Sequence, residues 1–177
     1  ARMCERAGVT FVRDEVTRIE PHVVQTKSGQ RVGYDIASCN LGSGIPQGML
    51  SSEAGGEPAI FRVKPVSRLV LLRQSLDALR GGELAIVGGG PAGVETAANL
   101  AVYSKRRGYE LRIRVFSSGQ LLSGWPEGFS AGVRRRLVRL GVELYEHVRV
   151  TKLVDGVLHL DMGDAYRYDL ALLAIGI

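Results

Sequence analysis

The stretch ELAIVGGGPAGVETAANLAVY, residues 83–103, constrains the fold more than any other. A short β-prone apolar run, Leu84 to Val87, leads into Gly88-Gly89-Gly90-Pro91-Ala92-Gly93, and a helix of small residues follows from Val94. In that order a G-x-G-x-x-G pattern gives each glycine a separate task. Gly88 permits a tight turn, Gly90 lets the backbone approach a pyrophosphate, and Gly93 lets the helix pack closely on the strand. The helix N-terminus then presents N–H groups and its positive dipole end to the phosphates. Such a pattern alone is a weak signal. Here Ala97, Ala98 and Ala101 keep the helix slim, and a further strand, LRIRVF at 111–116, continues the alternation. Dinucleotide binding is the expectation, against the plainer alternative of a glycine-rich connector.

A second feature is a repeat. YDIASCNLGS (34–43) and YDLALLAIGI (168–177) place Tyr34, Asp35 and Gly42 at the same spacing as Tyr168, Asp169 and Gly176. The offset of 134 residues (34 to 168) also lays Val16-Thr17-Arg18-Ile19 on Val150-Thr151-Lys152-Leu153. Each copy reads as a helix end at a glycine (Gly8, Gly141), a strand, a small antiparallel meander, and an apolar strand closing on glycine. The meander turns lie within TKSGQRV (26–32) and VDGVLHLDMGDAYR (154–167). A run such as LALLAIG suits a strand buried on both faces of a parallel sheet. Glycine at its carboxyl end suits either a turn or a ligand, and its recurrence in both copies favours the ligand.

Between the two motifs, SSGQLLSGWPEGFSAGVRRRLVRLG carries Phe129, Val133, Leu137 and Leu140 at helical spacing, with Gly141 as the stop. This predicts an amphipathic helix whose apolar stripe is core. The second copy is thus complete over residues 81–177. The first lacks a strand, glycine loop and helix, which are expected before residue 1, so the chain is expected to belong to a longer protein with two nucleotide-binding domains. Residues 1–80 would be the later part of the first, ending in a loop and a linker helix from about Ser67 to Leu79. The predicted class is α/β: a Rossmann-like parallel sheet with helices and an inserted antiparallel β-meander, three layers in all, plus the later half of a second such domain.

Composition narrows the function. The 177 residues are 45% hydrophobic and 23% charged, as in ordinary globular chains. A formal charge of +5 favours anionic partners. The basic runs Lys105-Arg106-Arg107 and Arg134-Arg135-Arg136 read as solvated helix faces, with no nucleic-acid-binding signature beside them. Cys4 and Cys39 form no C-x-x-C pair and no metal-ligand cluster, so they are expected as buried thiols in a cytoplasmic protein, with no metal. His22, His147 and His159 stand apart from any acid or thiol. The opening ARMCERAG lacks the apolar run of a signal peptide, and no apolar run reaches transmembrane length.

These residues together resemble the two-dinucleotide-fold flavoprotein oxidoreductases, the pyridine nucleotide-disulfide oxidoreductase superfamily. VGGGPAGVE with YDLALLAIG resembles that family's NAD(P)-binding domain, and YDIASCNLGS resembles the closing strand of its FAD domain. The resemblance implies that Gly88, Gly89, Gly90, Pro91, Ala92 and Gly93 hold the NAD(P) pyrophosphate, that Glu95 lies near the nicotinamide, and that Gly176 flanks it. It likewise implies that Gly42 and Ser43 lie near FAD in the full-length protein. The absence of a dithiol and the segment VKPVSR (63–68) are more similar to the NADH dehydrogenase-like branch. By this likeness the protein passes a hydride from NAD(P)H to FAD and on to a quinone, disulfide or other acceptor. The chain alone would be inactive, and the likeness leaves room for a homodimer without requiring one.

One departure stands out. Where NAD-preferring relatives carry an acid for the ribose hydroxyl, RIRVFSSGQ has Ser117 and Ser118. Ser117 could hydrogen-bond a hydroxyl or a phosphate, so weak discrimination between NADH and NADPH is expected. Arg112 and Arg114, alternating with Leu111, Ile113 and Val115, read as surface charges. The missing acid also keeps open a different class of function, a nucleotide-sensing module without turnover.

Overall fold

The chain divides into two compact units, Ala1–Gly42 and Ser43–Ile177. The computed structural model describes residues 2–40, 59–64 and 68–175. In the larger unit five strands pair in parallel, numbered in chain order and running β4 (Ala59–Arg62), β11 (Leu170–Leu173), β5 (Gly81–Val87), β6 (Glu110–Phe116) and β7 (Glu143–Tyr145) across the sheet. Leu170 to Leu173 are buried without exception, as a strand covered on both faces must be.

Alternation along the strands divides the core in two. Leu84, Ile86, Leu170 and Leu172 face α2 (Arg68–Leu79), α3 (Pro91–Arg107) and α4 (Glu127–Arg139), meeting Leu72, Leu76, Ala97, Ala101 and Leu137. Ala85, Val87, Ala171 and Leu173 face the other way, onto Val150, Leu153, Leu158 and Leu160. Those four come from a meander of β8 (Val150–Val154), β9 (Val157–Leu160) and β10 (Ala165–Arg167). The layers are therefore meander, parallel sheet, helices, the architecture expected from the sequence. Gly141 ends α4 at φ 85, its N–H donating to Val138 O while the Val142 N–H donates to Leu137 O, a turn few other residues accept.

The smaller unit holds α1 (Arg2–Arg6), which ends before Gly8, and a meander of β1 (Val16–Glu20), β2 (Val23–Thr26) and β3 (Arg31–Gly33). Its register repeats that of β8–β10 at the predicted offset. Arg18 opposes Gln25 as Lys152 opposes His159, and Val24 opposes Val32 as Leu158 opposes Tyr166. Both first strands carry an irregularity at the same place, between Val16 and Arg18 and between Val150 and Lys152. A side chain repeats too: Thr17 Oγ1 donates to Gln25 O at 3.3 Å, and Thr151 Oγ1 to His159 O at 3.2 Å.

Several expectations need correction. The helix expected from about Ser67 is α2, but the supposed loop before it contains β4, which pairs with β11 at the sheet edge. The compact units themselves divide after Gly42. Arg114 is no surface charge: its side chain is 13% exposed, bonded by Nη1 to Glu83 and by Nε to Glu143 at 3.0 Å, under the Tyr166 ring. Phe129 is not core: it lies 50% exposed, its ring stacked on Trp125 at 5.1 Å. Cys39 is exposed and Cys4 half-buried.

Candidate functional site

The turn from β5 into α3 is held by backbone. Gly88 adopts φ 127 and donates its N–H to Phe116 O at 2.8 Å, on the neighbouring β6. A Cβ at Gly88 would strike the carbonyl oxygen of Ala174, and one at Gly93 would strike the carbonyl of Gly88. The glycines that open and close the pattern are thus required by packing. Gly89 has no room either, since a Cβ there would meet the Ser117 hydroxyl and, at 2.9 Å, Leu121.

Gly90 differs. Its φ of −78 and ψ of 179 are open to any residue, and nothing lies within 4 Å of where its Cβ would be. Backbone conformation does not call for glycine here; empty space in front of the chain is what a side chain would remove. Gly90 is the N-cap of α3, with no side-chain cap bond and with Pro91 as the first helical residue. The N–H groups of Ala92 and Gly93, in the first turn, have no intrahelical acceptor and sit at the positive end of a 17-residue helix. This end fits a pyrophosphate.

Beside it, at the carboxyl ends of β5 and β6, opens a cleft of ≈ 390 Å³. It is lined by Val87, Gly88, Gly89, Phe116, Ser117 and Ser118, by Val148, Arg149 and Val150 from the connection into β8, and by Ile175 after β11. Two bonds join the end of β6 to the segment after β7: Ser117 N donates to Tyr145 O at 2.8 Å, and Val148 N to Ser117 O at 2.9 Å. Phe116 floors the cleft, its ring 4.9 Å from Tyr145 and 5.3 Å from Tyr166. Burial, then the hydrogen bond to Glu143 at 3.2 Å, pushes the Tyr145 phenol above its ordinary value, so it stays neutral. The loop after β6 is tied by Glu146, which accepts from Leu121 N at 2.6 Å and pairs with Arg134 Nε at 2.9 Å. Arg134 is therefore not part of a free basic face.

The sequence-derived residues fare unequally. Gly88, Gly89, Ser117 and Ser118 line the cleft, and Gly90, Pro91, Ala92 and Gly93 form the helix entry beside it. Ser117 is only 7% exposed and its hydroxyl rests against Gly89, so it is not free to serve both ribose and phosphate. Ser118 is exposed. Glu95 lies on the exposed side of α3, in a groove with Ala98, Phe129 and Val133, and does not line this cleft. Gly42, Ser43 and Gly176 lie outside the described residues. Sequence reasoning missed Arg149, whose only signal was its place directly before the repeated VTKL strand. Among the described residues no carboxylate lines the cleft. Among the described residues no helix is long and apolar enough to cross a membrane.

The profile of the family described as pyridine nucleotide-disulphide oxidoreductase matches residues 5–177. No curated protein matches in sequence. Among solved structures, the covalent putidaredoxin reductase–putidaredoxin complex superposes with a TM-score of 0.74 at 18% identity, covering 98% of this chain and 43% of that one. The sulfide:quinone oxidoreductase of Aquifex aeolicus gives 0.69 at 17%, covering 96% and 43%. NDH2 from Plasmodium falciparum in complex with NADH gives 0.69 at 17%, covering 93% and 40%. The chain spans less than half the length of each.

Proposed function

The chain belongs to the pyridine nucleotide-disulphide oxidoreductase family, and from that premise we propose that its larger unit binds NADH or NADPH across the Gly88–Gly93 turn within a flavoprotein oxidoreductase. The observation that carries this reading is Gly90, an uncapped helix entry with open space in front of it. When bound, the nicotinamide supplies a hydride and FAD receives it, so the electron chemistry is the cofactors' own. The N–H groups of Ala92 and Gly93 would take the pyrophosphate charge, Ser118 would face the adenosine ribose, and Val87 and Phe116 would keep water from the cleft floor. Glu95 and Gly176 near the nicotinamide, and Gly42 and Ser43 near FAD, rest on the family likeness. So do a boundary of function near residue 80 and an onward acceptor such as a quinone or disulfide.

A second reading, a nucleotide-sensing module without turnover, draws support from the lack of a carboxylate in the cleft. Flavin absorbance of the longer protein separates the two. Bleaching on anaerobic addition of NADH or NADPH supports the oxidoreductase, and nucleotide binding with no bleaching supports the sensor. If this chain shows no heat of binding with either nucleotide by calorimetry, both readings fail.

A further inference from the structure

We infer that Arg149 makes the cleft select the 2′-phosphorylated dinucleotide, NADPH over NADH; the inference rests on the dinucleotide reading of the same cleft and adds its specificity. In Rossmann-type sites the adenosine ribose lies beyond the end of the second strand, where an acid favours a free 2′-hydroxyl and an arginine a 2′-phosphate. Here that strand is β6, and its end presents Ser117 and Ser118 with no acid. The cation arrives from elsewhere in the sequence, on the connection from β7 to β8, and lines the same cleft.

The backbone that carries it is fixed on both sides. Arg149 N donates to Asp161 Oδ1 at 3.3 Å, Arg149 O accepts from Asp161 N at 2.9 Å, and the preceding residue, Val148, is bonded to Ser117 O. Asp161 thus meets the main chain of Arg149, while its guanidinium has no hydrogen-bond or ion-pair partner among the described residues. Nearby arginines are engaged: Arg114 by Glu83 and Glu143, Arg134 by Glu127 and Glu146. Among the described residues Arg149 is therefore the cation of the cleft still free to meet an anion. A guanidinium offers a planar pair of donors matched to phosphate oxygens, and no carboxylate in the lining competes for it or repels the phosphate. The Ser117 hydroxyl lies against Gly89 in a residue only 7% exposed, so the even-handed hydrogen bonding expected from the sequence has little surface to act through.

Calorimetric titration of this chain with NADPH and NADH at one low salt concentration tests the inference, with adenosine 2′,5′-bisphosphate and AMP as smaller probes. The parent should bind the 2′-phosphorylated member of each pair at least about tenfold more tightly. Arg149→Ala should bring the ratio close to one with little change for NADH, and Arg149→Lys should keep part of it. Thermal unfolding of Arg149→Ala should match the parent, because the guanidinium holds nothing in place. A parent that binds NADH as tightly as NADPH overturns the inference, as does a ratio unchanged in a folded Arg149→Ala. Binding of neither nucleotide by the parent overturns the dinucleotide reading beneath it.

Discussion

Among the four glycines of the turn, three are needed to build it and one is needed to use it. Gly88→Ala places a Cβ on the Ala174 carbonyl at φ 127, and Gly93→Ala places one on the Gly88 carbonyl. Each should cost about 2 to 4 kcal/mol in urea unfolding, the scale of a strained backbone combined with an overpacked contact. Gly90→Val should unfold like the parent, since its φ of −78 suits valine, yet calorimetry should show no dinucleotide binding. A Gly90→Val chain that binds as before would show that the phosphates lie elsewhere. The sequence assigned separate tasks to Gly88, Gly90 and Gly93, and what it left out is Gly89, which has no room for a Cβ beside Ser117 and Leu121. For Gly90 the task read from the sequence was room for a pyrophosphate, and its ordinary conformation leaves space as the only demand there. Ser117 shows a limit of a different kind, because it follows the last residue of β6 and is buried against Gly89, a contact between distant parts of the chain that the sequence does not show. A carboxylate meant to favour NADH therefore belongs at Ser118. Ser118→Glu should shift the NADH-to-NADPH affinity ratio toward NADH by about 1 to 2 kcal/mol, whereas Ser117→Glu should first destabilise the fold.

Between elements, polar ties at the two ends of β6 fix what the apolar layers leave loose. At one end Tyr103 and Tyr109 donate to Asp77 Oδ1 at 2.5 and 3.1 Å, joining α2 to α3 and to the start of β6. The Tyr103 bond foremost, and the Tyr109 bond behind it, hold the Asp77 carboxyl below its ordinary 3.8. A carboxyl more acidic in the folded chain than in the unfolded one lends stability that is fully present above 3.8. That stability is lost as pH falls through the lower folded value. Asp77→Asn should thus flatten the acid limb of stability against pH, measured by urea unfolding from about pH 5 to about pH 2. An acid limb identical to the parent's would show that this tie carries none of the pH dependence. In mid-sheet, Arg114→Ala would leave Glu83 and Glu143 facing each other with a single exposed partner, Arg112, and should cost about 2 kcal/mol. The long elements with clear periodicity, α3, α4, β5 and β6, were legible in the sequence. β4 was not: AIFR is four residues long, follows a glycine- and proline-rich stretch, and gains its strand identity only from pairing with β11. Arg149 was hidden for a related reason, since its arrival at the cleft depends on the long-range bond from Val148 to Ser117.

At the scale of the whole chain, the two meanders are one structure in two environments, and the pair forms an internal control. Hydrogen-bond register, strand irregularity and the threonine bond coincide at the 134-residue offset (16 to 150), yet burial does not. Val16 and Ile19 are 48% and 46% exposed, while their counterparts Val150 and Leu153 are 9% and 1% exposed, packed on the parallel sheet. The sequence could announce the shared register, because apolar alternation and turn residues are local. It could not announce the burial, which depends on what lies beneath each strand. A three-stranded meander without a buried face is close to the limit of independent stability. Leu153→Ala should therefore cost about 2 to 5 kcal/mol, the range for a large side chain lost from a packed core. Ile19→Ala, at the equivalent position, should cost less than about 1 kcal/mol, as exposed substitutions do. Hydrogen exchange adds a site-resolved check: amides of β9 should be protected far more strongly than those of β2, despite matched hydrogen bonding. Equal protection of the two meanders, or a cost for Ile19→Ala close to that for Leu153→Ala, would mean that the β1–β3 face is covered in solution, and the contrast drawn from burial would fall.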